Sequence, residues 1–150
     1  MSLRSGDAAE KVMRFALLVK ASPESEAGVL PAPAEVEEIR KFNDQMIEAG
    51  ILLAADGLKP TSIATRVTFK QRKPTVLEGP FAEAKELVAG YWIIQVQSKA
   101  EAVEWARRVP FVDGEIEVRR VYELDDFGPD LQAKAAWQKR EQAFEDKLGQ

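Results

Sequence analysis

Leu77-Glu78-Gly79-Pro80-Phe81-Ala82-Glu83-Ala84-Lys85-Glu86-Leu87-Val88-Ala89-Gly90 is the stretch around which this chain is organised. It sets a turn, an aromatic anchor and clustered ionisable side chains between two apolar runs. Nowhere else do unusual backbone chemistry and clustered charge coincide. Gly79 permits positive φ or close backbone approach, while Pro80 fixes its own φ and lacks an N–H. The pair ends the preceding strand and forces a turn. If the segment after Pro80 coils as one helical turn, Glu83 and Glu86 lie on one face. Paired carboxylates of that kind can raise one pKa and supply a general acid or base. The alternative is a solvated turn whose charges face water, as in most charged surface turns.

Reading backwards from the turn, Thr75 to Leu77 is the return strand of a hairpin that turns at Gln71 to Lys73. Its partner, Ile63 to Phe69, alternates apolar and polar residues as a half-buried strand does. Arg66 lies on the face opposite Val67, toward water or a ligand, and could pair with Glu78 or hold a carboxylate. Asp56-Gly57 signals a turn after a brief strand, Ile51 to Ala54. Ala34 to Ala49 is a helix with Val36, Ile39, Phe42, Met46 and Ile47 on one stripe beside Asn43. Pro33, the glutamates of its first turn and Gly50 mark its ends. Residues 21–33 form a loop longer than a simple connection, either an ordered lid or binding loop or a disordered insertion. Met13 to Val19 is a continuous apolar run expected of a central strand. Lys20 ends it, snorkelling or projecting into a pocket mouth.

Forward of the turn, Tyr91 to Gln97 is a strand with Trp92, Ile94 and Val96 on one face. Ser98-Lys99-Ala100-Glu101 reads as a capping box opening a helix to Val109, which Pro110 stops. Ala102, Trp105, Ala106 and Val109 are its buried stripe, and Glu115 to Tyr122 is the last strand. Residues 131–148 predict a helix with sparse apolar positions, which needs support from a partner subunit or a sheet edge. The chain thus divides into an N-terminal tail (1–12), one domain (13–128) and a C-terminal helical extension (129–150). The order βαβ–βαβ with an inserted hairpin predicts an α+β fold, an antiparallel sheet with two helices on one face. Apolar residues on both sides of strands 13–19 and 91–97 predict that the sheet's open face is also covered.

Composition narrows the chemistry. A chain of 150 residues fits one domain, and its 45% hydrophobic and 31% charged content is that of a globular protein. A net charge of −4 disfavours a nucleic-acid partner. The basic residues Lys70, Arg72 and Lys73 sit at the hairpin turn, where solvation accounts for them. Without cysteine or histidine the chain has no disulfide, no thiolate or imidazole catalyst and no sulfur or imidazole metal ligand. No metal or cofactor is expected. Neither a signal peptide nor a membrane-spanning run is evident, so a cytoplasmic location and no membrane partner are expected.

The segment Glu78 to Glu86, followed by Gly90-Tyr91-Trp92, resembles the signature of the DGPF, or YCII-related, family. That signature reads Asp-Gly-Pro-Phe-Ala-Glu-Thr-Lys-Glu before a Gly-aromatic strand start. Flanking matches extend the resemblance from Met13 to Pro129: Lys20-Ala21, Ser25-Glu26-Ala27-Gly28, Gly57-Leu58 with Pro60 and Arg66, Ile116 to Arg119, and Glu123 to Gly128. Two positions depart from the pattern, Glu78 in place of Asp and Ala84 in place of Thr. A His–Asp pair ascribed to some relatives has no counterpart in a chain without histidine. The resemblance implies a ferredoxin-like sheet forming a dimeric α/β barrel, with a second copy as partner. It also implies a small-molecule ligand, bound or transformed in a charged pocket beside the turn. Glu78 is then the candidate general base, with Lys85 or Arg66 stabilising charge. Lys20, Glu26, Gly79, Pro80, Phe81, Glu83 and Glu86 complete the candidate pocket. The alternative is a non-catalytic interaction or regulatory domain in which the motif is architectural.

Overall fold

A computed structural model describes residues 12–128 and 131–149. Apart from Val12, the expected N-terminal tail lies outside the described residues, as does the start of the C-terminal extension. The first strand, β1, is Met13–Lys20. A short helix, α1 (Pro23–Glu26), interrupts the segment read as a loop. There Ser22 and Ser25 each accept the other's backbone N–H, at 3.1 and 2.9 Å, so neighbouring serines build a cap where helix propensity is weak. α2 is Pro33–Glu48, with Pro33 in its first turn and Glu35 accepting from the Ala32 N–H at 2.8 Å. On its exposed side Arg40 bridges Glu37 and Asp44, and its hydrogen bond holds the Glu37 carboxyl below the usual range.

β2 (Leu52–Gly57), β3 (Thr65–Lys70) and β4 (Lys73–Glu78) follow. Then come β5 (Val88–Val96), α3 (Lys99–Arg107) and β6 (Ile116–Arg120). The main sheet has the order β2-β5-β1-β6, with every neighbouring pair antiparallel. β3 and β4 form a separate two-stranded ribbon. The sheet order and the two crossover helices give the ferredoxin-like α+β arrangement with an inserted hairpin.

Strand alternation decides which residues enter the core. Leu17 and Ile94 are fully buried, and Phe15, Trp92 and Val96 share their face. Phe42 and Met46 of α2, with Ala102 and Trp105 of α3, close over that face. The Phe42 ring meets Trp92 and Trp105 edge-on, at 5.7 and 6.1 Å. On the opposite face Ala16, Leu18, Tyr91 and Ile93 are only half-buried.

Several boundaries differ from the sequence reading. Asp56 and Gly57 do not turn; they continue β2 and pair with Tyr91 and Gly90. The cause is close approach, since a Cβ on Gly90 would stand 3.0 Å from the Asp56 carbonyl oxygen. At α3 the Ser98 hydroxyl accepts from Glu101 N at 3.1 Å, but the Glu101 carboxylate reaches past it to Gln97 N at 3.0 Å. The capping residues are as read, with the reciprocal bond one residue earlier.

The chain separates into two bodies after Arg120. In the second, Phe127 stacks on Tyr122 and on Trp137 at 5.6 and 5.0 Å. Trp137 belongs to α4, Leu131–Leu148, whose apolar Phe144 and Leu148 are exposed. Among the described residues no helix is long and apolar enough to cross a membrane.

Candidate functional site

The Gly-Pro turn is held by backbone contact. Its peptide bond is cis, and the Gly79 N–H donates to the Ala64 carbonyl at 2.8 Å. A Cβ at Gly79 would lie 1.8 Å from the Thr61 carbonyl oxygen, so close approach, rather than positive φ, requires glycine here. Phe81 N–H donates to the Thr61 hydroxyl at 3.0 Å. That hydroxyl donates in turn to Glu26 at 2.5 Å, and the Thr61 N–H reaches the same carboxylate at 3.1 Å. A carboxylate is acceptor-only, and two donors on one residue clamp it. Thus α1, the 3-10 turn Thr61–Ile63 and the motif are tied through one threonine. Arg66 covers the far side, with its guanidinium carbon 3.9 Å from the centre of the Phe81 ring.

The remaining candidates are spread out. Glu78 sits exposed at the end of β4 and accepts from the Thr65 hydroxyl at 2.8 Å. Glu83 has left-handed backbone, φ 63°, and precedes the 3-10 turn Ala84–Glu86. The helical turn therefore begins after Glu83, which does not share a helix face with Glu86. Both carboxylates are exposed. Lys20 pairs with Glu117 at 3.2 Å, across strands of the main sheet. The side chain of Lys85 lies outside what the structure describes. The structure thus ties Glu26, the Gly79-Pro80 turn, Phe81 and Arg66 together by hydrogen bonds and a ring contact, while Glu78 and Lys20 hold other partners, Thr65 and Glu117, and Glu83 and Glu86 are exposed.

The sequence reading missed a cleft of about 260 Å³ between α2 and the sheet. Ile39 and Asn43 of α2, Val19, Ala55, Gly90 and Trp92 of the sheet, and Phe111 after α3 line it. None of the candidates whose side chains are described does so. Asn43, noted only as a neighbour of Phe42, accepts the Trp92 indole N–H at 2.7 Å. No spacing in the sequence joins residues 43 and 92; a polar residue beside a helix's apolar stripe was the available signal.

On the other face of the sheet, the Tyr91 hydroxyl donates to Asp56 at 2.8 Å. That hydrogen bond, with burial and the carboxylate's charge, raises the phenol above its ordinary pKa. The folded state therefore holds the proton more tightly than the unfolded chain. The resulting stabilisation is complete below the unfolded value of about 10 and disappears as pH rises through the folded value. In a Tyr122→Phe background, ultraviolet titration should show the remaining phenol moving to lower pH on Asp56→Asn. An unmoved titration would show that the bond is not made in solution. Among the described residues no group of three or more carboxylates gathers to hold a metal ion.

Comparison with known proteins adds two findings. The family model of the YCII-related domain matches residues 13–125. An uncharacterized protein of Rhizobium meliloti (strain 1021) is 36% identical over 72 residues, which span 48% of this chain and 58% of that protein. The chain thus matches little more than half the length of that relative.

Proposed function

The chain belongs to the family of YCII-related domains, and from that premise we propose that it binds a small, mainly apolar molecule in the cleft between α2 and the sheet. The observation that carries this reading is the cleft itself. Trp92 and Phe111 stand with ring centres 6.3 Å apart beside aliphatic walls, in a pattern typical of ligand sites. Its 260 Å³ falls below the ~300–1,000 Å³ of drug-sized sites, which selects an occupant of one or two rings. The motif is architectural in this reading. Its glycine and phenylalanine lock onto Thr61, and its described carboxylates face outward.

Ligand held only by the folded state raises stability by about 2.7 kcal/mol at a hundred times its Kd. One-ring and two-ring aromatic fragments are therefore expected to raise the unfolding temperature and quench Trp92 fluorescence. Ala55→Leu fills the cleft and should abolish both responses while the protein stays folded. Undiminished responses in that variant would place binding elsewhere.

We also propose that a second copy covers the open sheet face. Supporting this, Ala16, Leu18 and Ile93 form an apolar centre that stays partly exposed among the described residues, flanked by the Lys20–Glu117 pair. By light scattering, Ile93→Lys should be monomeric at concentrations where the native chain is dimeric. A dimer that survives the charge would refute this interface.

A further inference from the structure

Resting on the cleft reading above, we infer that Asn43 selects the ligand, donating its amide N–H groups to an oxygen acceptor carried by an otherwise apolar ring compound. Two observations lead there. Strand alternation turns Tyr91 and Asp56 away from the helix side, because their neighbours Trp92 and Ala55 pair in register on that side. The carboxylate and phenol are moreover bonded to each other. Asp56 and Tyr91 also border the cleft, but with their side chains on the other face Asn43 is, among the described residues, the one whose side chain brings hydrogen-bonding capacity to it.

Its amide orientation is determined as well. An indole N–H can only donate, so the atom 2.7 Å from Trp92 Nε1 is the Asn43 oxygen. The NH₂ group is left over, and among the described residues it has no partner. A half-buried donor pair without a partner beside an apolar hollow is completed by a carbonyl or phenolate oxygen. A ligand lacking that oxygen would leave the donors dry, and such sites discriminate more sharply than purely hydrophobic ones.

The competing explanation is that Asn43 exists only to satisfy Trp92. Asn43→Asp separates the two, since aspartate retains an acceptor for the indole and removes the donors. Acetophenone and ethylbenzene serve as probes of similar size that differ by the carbonyl. Each is titrated into the full-length ¹⁵N-labelled chain while the Trp92 indole signal is followed. The expected result is acetophenone binding about tenfold tighter than ethylbenzene. In Asn43→Asp that preference should vanish while the unfolding midpoint holds. Equal affinities in the native chain would overturn the assignment of Asn43 and leave the cleft as a ligand site. If neither probe moves the Trp92 signal, the cleft reading falls, and the inference with it. The native-chain comparison stands even if the variant does not fold.

Discussion

Gly79→Ala should cost the protein about 3 kcal/mol or more, the upper end of what overpacking does. The added methyl would meet the Thr61 carbonyl oxygen at 1.8 Å, the Thr61 carbonyl carbon at 2.9 Å and the Ala64 oxygen at 3.3 Å. These are backbone atoms, and no rotamer change can move them aside. The turn must slide outward, breaking the Phe81 N–H bond to the Thr61 hydroxyl and straining the Gly79 N–H bond to Ala64. Thr61→Val provides the scale. It keeps the side-chain shape and removes only the hydroxyl, at about 1–2 kcal/mol for the unsatisfied groups left behind. Denaturant unfolding should rank Gly79→Ala well below Thr61→Val, with faster hydrogen exchange at the Phe81 amide in both. A Gly79→Ala chain as stable as the native one would show that the motif is not locked onto Thr61.

The second large effect is expected at Ile94. It is fully buried, opposite Phe15 in one neighbouring strand and Leu52 in the other. Truncation to alanine removes three buried carbons and leaves a void under α2 and α3, at about 3–4 kcal/mol. Against a total of about 5–15 kcal/mol for a domain, that is a major fraction. Ile93 provides an internal control. It is the next residue, has the same chemistry and points to the open face, so Ile93→Ala in the monomer should cost about a third as much. Urea midpoints on the pair would decide the matter. Equal losses would mean that the two sheet faces are equally buried and that this assignment fails.

Much of the fold was legible because burial imposes periodicity. Trp92, Ile94 and Val96 announced their shared face, and Phe42 and Met46 theirs. The order of elements, the antiparallel sheet with helices on one face and the inserted hairpin all followed. Boundaries were harder wherever tertiary contact overrides a local signal. Asp56-Gly57 has turn chemistry but lies in a strand, because Gly90 opposite has no Cβ to crowd the Asp56 carbonyl oxygen. For Gly79, positive φ and close approach predict the same residue, and only the position of Thr61 tells them apart. Long-range polar partners were illegible for a related reason. Glu26 and Thr61 stand 35 residues apart, and no local rule brings them together. The cleft was hidden because Val19, Ala55 and Trp92 look like ordinary core residues until a space is found between them.

The β3–β4 ribbon has a consequence for how this chain can diversify. Among the described residues its strands pair only with each other, closing through Gln71 and Arg72, while the four-stranded register is set without them. Extra residue pairs can therefore be spliced into the tip, or removed from it, without rethreading the rest of the molecule. The ribbon is an appendage that natural variation or a protein engineer can resize while the cleft between α2 and the sheet keeps its walls.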